Sequence, residues 1–285
     1  MPRIITMTTD FGLEDEYVGV MKGVILARAP NVKIIDLSHA IDRHNVRQAA
    51  LLINSAYRFF PEKTIHLAVV DPGVGSNRKV VLLKVNEQYF LGPDNGVFAL
   101  LLESEHFQTA YEVQCEQYYV TPVSSTFHGR DIMAPVAAQL SAGLDPEDTG
   151  PVIMPQALKK IAFAAAEINR LQSTITGEIT GRDHFGNLLT NIEAESINSL
   201  CGHYKSRTRV TVRDKTIVGI QDAYADKNPG DLLALLGSRG FLEITVREGN
   251  AAAYLDAGTG DGVTVEMPKR QVASPGKAKN KNVTN

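Results

Sequence analysis

The apolar run Ile65 to Val70 ends in a carboxylate, Asp71, and Arg78 follows seven residues later across Pro72-Gly73-Val74-Gly75. A Gly/Pro loop of that length turns the chain back, so the guanidinium can return beside the carboxylate. Such a pair at the carboxyl end of a strand lies where open α/β sheets bind their ligands. The plain alternative is a tight turn whose Asp and Arg form a solvated ion pair. Asp10, Asp36 and His128 are expected at or just after other strand ends, on the same edge of the sheet. Carboxylates converging there can bind a metal, accept from sugar hydroxyls or act as a general base. Singly, each is as readily a cap or turn residue.

The residue pattern narrows this chemistry. Gly73-Val74-Gly75-Ser76-Asn77-Arg78-Lys79 lacks the spacing of a phosphate loop, and a strand, not a helix, follows it. A phosphate there would have no helix N-terminus to sit on. The first strand-to-helix turn holds Thr9-Asp10-Phe11-Gly12 instead of a dinucleotide-binding glycine fingerprint. A carboxylate in that turn repels phosphate but accepts from ribose hydroxyls. These features point to a nucleoside without phosphates. His39, His44, His128 and His184 form no metal-binding spacing, so no metal is expected. No GxSxG elbow occurs, and Cys115 and Cys201 stand outside any CxxC motif.

The elements that must position these groups read as α/β. Arg3 to Thr9, Val32 to Leu37 and Ile65 to Val70 are strand-like runs. Between them lie a helix from Glu14 to Ala29, with acids in its first turn, and a helix capped by Asn45 and running to Phe60. The strands are too uniformly apolar to be half-exposed, which is the pattern of a parallel sheet covered on both faces. Val80 to Val85, Tyr89 to Leu91 and Ala110 to Val113 add strands. Pro93-Asp94-Asn95-Gly96 is a turn, Val97 to Glu103 a short helix, and Ile132 to Ala142 a longer one. Prolines 146, 151 and 155 mark a connector. Beyond it come short β-rich runs at Ser173 to Thr180, Val210 to Val212, Lys215 to Val218 and Leu242 to Arg247, with Glu193 to Leu200 alone looking helical. The expected organisation is a Rossmann-like α/β domain over 1–165, with a mostly parallel sheet and helices on both faces. A small β-barrel domain over 166–268 and a disordered basic tail over 269–285 follow it.

Composition sets outer bounds. The 285 residues are 44 % hydrophobic and 21 % charged, ordinary for a soluble globular protein. The net charge is −3, and the tail carries five unopposed basic residues, which leaves the remainder near −8. That balance argues against nucleic-acid binding. No apolar run reaches the roughly 20 residues needed to span a bilayer. The N-terminal run shows no signal-peptide layout, and with two unpaired cysteines a cytoplasmic location is expected.

In the β-rich part three polar loops stand out: Gly181 to Asn187, Ser238 to Glu243 and Asn250 to Tyr254. An Asp and an Arg on neighbouring loops could clamp the ammonium and carboxylate of an amino acid, although ordinary hairpin turns explain each loop taken alone. With TTDFG at 8–12, VVDPGVG at 69–75, Arg78, GPDNG at 92–96 and TFHGRD at 126–131, these loops form an ordered set. GRDHFGN at 181–187, SRGFLEI at 238–244 and GNAAAYL at 249–255 complete it. The set resembles the S-adenosylmethionine hydroxide adenosyltransferases, relatives of the fluorinase and chlorinase enzymes, from about residue 3 to 267.

The resemblance implies a reaction in which S-adenosylmethionine and water give adenosine and L-methionine. S-adenosylmethionine is then a small-molecule substrate and no cofactor is needed. It implies a water-handling triad at Asp71, Arg78 and His128 and a ribose-binding carboxylate at Asp10. Methionine contacts fall at Asp183, Ser238 and Arg239, adenine contacts at Asn187 and around Ala252, and a further substrate contact at Asn95. It also implies a homotrimer with sites at subunit interfaces. Where the fluorinase has a serine for its halide, this chain has Gly129, so water is the expected nucleophile; glycine alone does not exclude chloride. Two alternatives stay open: a non-catalytic S-adenosylmethionine or adenosine sensor, and a halide-using transferase. A sensor has no need of a water-polarising triad.

Overall fold

The computed structural model describes residues 3–267. The basic tail assigned to 269–285 lies outside them. Two compact units divide in sequence between Ala162 and Phe163.

In the first unit, β1 (Ile4–Thr9), α1 (Tyr17–Arg28), β2 (Lys33–Ser38), α2 (Val46–Ala56) and β3 (Ile65–Val69) alternate as the apolar runs predict. β4 (Val80–Val85), β5 (Gln88–Pro93), α3 (Ala99–Leu102), β6 (Phe107–Glu112) and α4 (Ala134–Ala142) follow. The sheet runs β2-β1-β3-β5-β4-β6. Its first four strands are parallel, and β4 is antiparallel to both β5 and β6. The period-two alternation of β3 explains why both faces are apolar. Ile65, Leu67 and Val69 pack with α1 and α4, while Ala68 and Val70 pack with α2 and α3.

Asn45 caps α2 as predicted, its side-chain oxygen accepting from the Gln48 N–H at 3.0 Å. Three expectations are corrected. α1 starts at Tyr17, so Glu14, Asp15 and Glu16 lie in exposed turns before it instead of in its first turn. β2 is an edge strand with Lys33, Ile35 and Asp36 exposed, because only β1 pairs with it. Asp36 lies inside β2 rather than at its end.

The second unit contains β7 (Glu167–Asn169), β8 (Thr174–Arg182), β9 (Leu188–Glu193), α5 (Ala194–Cys201), β10 (Arg209–Val212) and β11 (Lys215–Val218). β12 (Ile220–Gln221), β13 (Leu232–Leu236), β14 (Phe241–Val246), α6 (Ala251–Leu255) and β15 (Gly262–Glu266) complete it. The strand order is β11-β10-β15-β8-β9-β14-β13-β12, with β7 also on β8. The two ends of that order, β11 and β12, are joined through Gly219 alone. The sheet therefore curls into a nearly closed barrel around Ile175, Ile179, Leu188, Val210, Ile244 and Val263. α6 corrects the reading of 250–254 as a polar loop. Three alanines favour a helix, and Asn250 caps it by accepting from the Ala253 N–H at 2.9 Å.

Among the described residues no helix is long and apolar enough to cross a membrane. Cys115 and Cys201 are free and buried, as expected.

Candidate functional site

The topology brings Asp10, Asp71 and Arg78 to one edge. β1 and β3 are parallel with Thr9 opposite Val69, so Asp10 and Asp71 emerge side by side at their carboxyl ends. β4 is antiparallel and starts at the same edge, with Val80 opposite Pro93. The 70–79 loop therefore crosses the end of β5 and returns Arg78 beside Asp71. Asn95, just past β5, braces this crossing: its Nδ2 donates to the Val70 carbonyl at 2.8 Å and its Oδ1 accepts from Val97 N–H at 3.2 Å. Both ends of the Asn95 amide thus hold the chain itself.

Arg78 Nε lies 2.8 and 2.9 Å from Asp71 Oδ1 and Oδ2, and an Arg78 terminal nitrogen makes a second contact with Oδ2. The pair is not solvated: the two side chains are 9 % and 5 % exposed. The same Arg78 terminal nitrogen lies 3.0 Å from His128 Nδ1. Arginine can only donate, so Nδ1 accepts, and the proton of the neutral imidazole sits on Nε2. Burial, and next the Arg78 charge, pushes the His128 pKa below its ordinary value.

His128 does not follow a strand, contrary to expectation. It precedes a π-helical turn, Gly129–Met133, that leads into α4. Asp131 anchors that turn. Its side chain is fully buried, accepts from Arg130 Nε at 2.6 Å and from Ser124 N–H at 2.8 Å, and so ties down the segment before His128. Gly75 locks this segment to the 70–79 loop. Its φ is +78°, and a β-carbon there would lie 2.3 Å from the Ser125 carbonyl oxygen. Gly129 is less tightly confined: an added β-carbon would meet only side-chain atoms, Val69 Cγ1 at 3.0 Å and Met21 Sδ at 3.3 Å.

Asp10, Asp71 and His128 share a pocket of ≈ 370 Å³ with Phe11, Tyr17, Arg43, His44, Val74, Phe127 and Gly129. Asp10 Oδ2 accepts from the His44 N–H at 2.9 Å. The sequence reading missed the aromatic wall. Phe11, Tyr17 and Phe127 form a mutual cluster with ring centroids 5.3–5.8 Å apart. Phe11 and Phe127 stand next to Asp10 and His128 in sequence, which was the available signal. Asp36 does not join the pocket. It pairs with Lys22 Nζ at 2.6 Å and lies 3.0 Å from His39 Nε2. No group of three or more His, Cys, Asp or Glu among the described residues is placed to hold a metal ion.

In the second unit, Asp183 organises its own loop. Its Oδ1 accepts from the Phe185 and Asn187 N–H groups at 2.9 Å, and its Oδ2 from Asn187 Nδ2 at 2.8 Å. Asn187 Oδ1 in turn accepts from the Thr245 hydroxyl. The Ala252 N–H donates to the Gly186 carbonyl at 3.0 Å, which ties the start of α6 to the residue before Asn187. Ser238 and Arg239 are exposed in the β13–β14 turn. Beneath them Glu243 is buried and accepts from the Tyr224 hydroxyl at 3.1 Å. Burial raises the Glu243 carboxyl and pushes the Tyr224 phenol up to about 12. Neither residue was predicted; a Glu in an otherwise apolar strand was the signal.

Comparison with known proteins fits this geometry. The chain is 33 % identical to an (R)-S-adenosyl-L-methionine hydrolase of Salinispora tropica over 92 % of its own length and 97 % of the relative's. It is also 33 % identical to a hydrolase of the same name from Thermus thermophilus, over 93 % and 99 %. A crystal structure of an uncharacterized conserved protein from Thermotoga maritima superposes with a TM-score of 0.87 at 35 % identity, covering 93 % of this chain and all of that one. Residues 5–150 match the SAM hydroxide adenosyltransferase N-terminal domain and residues 177–264 its C-terminal domain. The chain belongs to the SAM hydroxide adenosyltransferase family.

Proposed function

We propose that this protein hydrolyses S-adenosyl-L-methionine to adenosine and L-methionine by in-line attack of water at the ribose C5′. The observation that carries the reading is the buried Asp71–Arg78 pair with His128 on it, opening into the pocket that holds Asp10. The sulfonium makes methionine a good leaving group. As the C5′–O bond forms and the C5′–S bond breaks, the positive charge on sulfur is lost and the water releases one proton. A site that excludes bulk water favours such charge loss. Fixing the water in line is worth several kcal/mol, up to about 7–11 in the best intramolecular cases.

The side chains divide this work. Arg78, held by Asp71, keeps His128 in the Nε2–H tautomer, so the imidazole faces the nucleophile as a donor that positions it. With Nδ1 taken by Arg78, the water's proton is assigned to Asp71, whose Oδ1 accepts from Arg78 Nε and keeps a second lone pair. Asp10, with one oxygen tied to the loop and the other available, accepts from the ribose hydroxyls. The Phe11–Tyr17–Phe127 wall supplies an apolar face for the nucleoside. Gly129 offers no side-chain hydroxyl beside His128, which favours water over a halide. Asp183, Ser238 and Arg239 take the amino-acid end, Asn187 and the Ala252 neighbourhood the adenine, and Asn95 contributes by bracing the Asp71 loop. The substrate is the only small molecule required. The family resemblance supports a homotrimer with sites at subunit interfaces, which sedimentation velocity would establish. Two buried free thiols support a cytoplasmic location.

Incubating the purified protein with S-adenosylmethionine, with and without chloride, and chromatographing the products tests the reading. Adenosine and methionine are expected in both. Tight binding without turnover would identify a sensor, and 5′-chloro-5′-deoxyadenosine a halide-using transferase.

A further inference from the structure

Behind Asp10 lies a chain of side chains that the proposed reaction does not use. Thr9 Oγ1 and His39 Nδ1 are 2.8 Å apart, and both residues are buried, at 0 % and 6 % exposure. Thr9 Oγ1 also accepts from the Phe11 N–H at 3.3 Å, and the His39 carbonyl accepts from the Gly12 N–H at 2.8 Å. The residues on both sides of Asp10 are thus fixed to His39. His39 Nε2 lies 3.0 Å from Asp36 Oδ1 but off the line of an aligned hydrogen bond, and it has no other partner. Asp36 Oδ2 meets Lys22 Nζ of α1 at 2.6 Å. A hydroxyl, an imidazole and a carboxylate therefore stand in series, in the order of a hydrolytic triad. Thr9 is sealed from the pocket, so its hydroxyl cannot attack a substrate.

A buried imidazole is costly to hold unless its nitrogens are used. A buried position beside β1 would be filled more cheaply by an apolar side chain. The expense is explained if the series serves the turn it grips. Asp10 has one oxygen tied to the His44 N–H, so the direction of its other oxygen depends on the backbone of residues 9–12. Thr9 Oγ1 and the His39 carbonyl are the side-chain and main-chain anchors of that backbone.

We propose that Asp36, His39 and Thr9 form a positioning relay that aims the Asp10 carboxylate at the ribose hydroxyls, making Thr9 and His39 determinants of ribose recognition. The proposal rests on the reading of Asp10 as the ribose carboxylate. The relay acts only through Asp10, so its loss weakens ligands that carry ribose hydroxyls and leaves unchanged those that lack them.

Calorimetric titration of the full-length protein with adenosine and with 2′,3′-dideoxyadenosine reads this directly. In the parent protein adenosine binds more tightly, and Asp10→Asn removes most of that preference. Thr9→Val keeps the side-chain shape and removes the hydroxyl. It is expected to weaken adenosine about 3- to 10-fold, the scale of one ordinary hydrogen bond, and to leave dideoxyadenosine unaltered. His39→Asn, which can still reach Thr9 but not Asp36, is expected to lose less, and Thr9→Ser to restore parent binding. Equal weakening of both nucleosides by Thr9→Val and His39→Asn would reduce the relay to ordinary packing and overturn the proposal. Unchanged binding of both would overturn it as well. If Asp10→Asn leaves the preference intact, the ribose reading of Asp10 fails, independently of the relay. Should Thr9→Val not fold, His39→Asn and Thr9→Ser decide by the same ratio.

Discussion

Asp71 and Asp36 belong to the same sheet and each pairs with a cation, but Asp71 reaches His128 only through Arg78, whereas Asp36 meets His39 itself. Asp71 follows a central strand, is 5 % exposed in its side chain, and takes Arg78 in a multidentate contact. Asp36 lies in an edge strand, is 39 % exposed, and meets Lys22 through a single nitrogen. The difference follows from strand position. β3 has a neighbour on both sides and helices on both faces, so a charge at its end is desolvated and must be paired rigidly. β2 has one neighbour, and water shares the work of solvating its carboxylate. Burial would push the Asp36 carboxyl up, but the contacts with Lys22 and His39 outweigh it and hold it below the usual range. A central strand end encloses its charge pair, whereas an edge strand leaves its own partly in water.

Substitution at Asp71 strikes this contrast hardest. Asp71→Asn or His128→Ala is expected to lower turnover by about 10²-fold or more, while binding of S-adenosylmethionine survives better. Unchanged turnover in both variants would remove the distinction between the two aspartates. Next in size is Gly75→Ala. Its β-carbon would press on the Ser125 carbonyl from a left-handed backbone, with an expected cost of about 2 kcal/mol in urea unfolding and a lower turnover. A stability loss without a kinetic one would show that the loop and the His128 segment move independently.

The pH dependence gives a finer measure. The folded-state pKa of His128 is lowered, so its neutral form prevails above the ordinary value near 6.5 and is lost only at lower pH. Protonation would place a hydrogen on Nδ1, facing the Arg78 donor. The acid limb of kcat/KM should therefore fall below pH 6.5, and it should disappear in His128→Gln. A limb above 6.5 would contradict the described pairing. The smallest effect belongs to Asp36→Asn, with a stability change below about 1 kcal/mol and little change in kcat. A loss comparable to that of Asp71→Asn would erase the central-versus-edge distinction.

Much of this arrangement was legible before any coordinates. Uniform apolar runs gave the parallel strands, Asn45 gave a helix start, and Pro72 to Gly75 gave the return of Arg78 to Asp71. What escaped reading depended on partners distant in sequence. The exposure of β2 follows from its having only β1 beside it. β9 and β15 are defined by their barrel pairing, whereas the apolar run of β13, Leu232–Leu236, carried a signal of its own. The helix at 251–255 hid among residues chosen for a loop motif. His128 was expected at a strand end, whereas a buried Asp131 in a π-helical turn holds it.

The contact between Gly75 and Ser125 also limits how the sequence can change. The two segments belong to different parts of the chain but occupy one gap with no slack. An insertion in the 72–77 turn would displace the backbone under Ser125, and bulk added at 124–126 would have to be matched by a retreat at 73–75. Lineages or engineered libraries should therefore change the two segments in pairs, with the seven-residue step from Asp71 to Arg78 acting as a fixed ruler while surrounding surface loops lengthen freely.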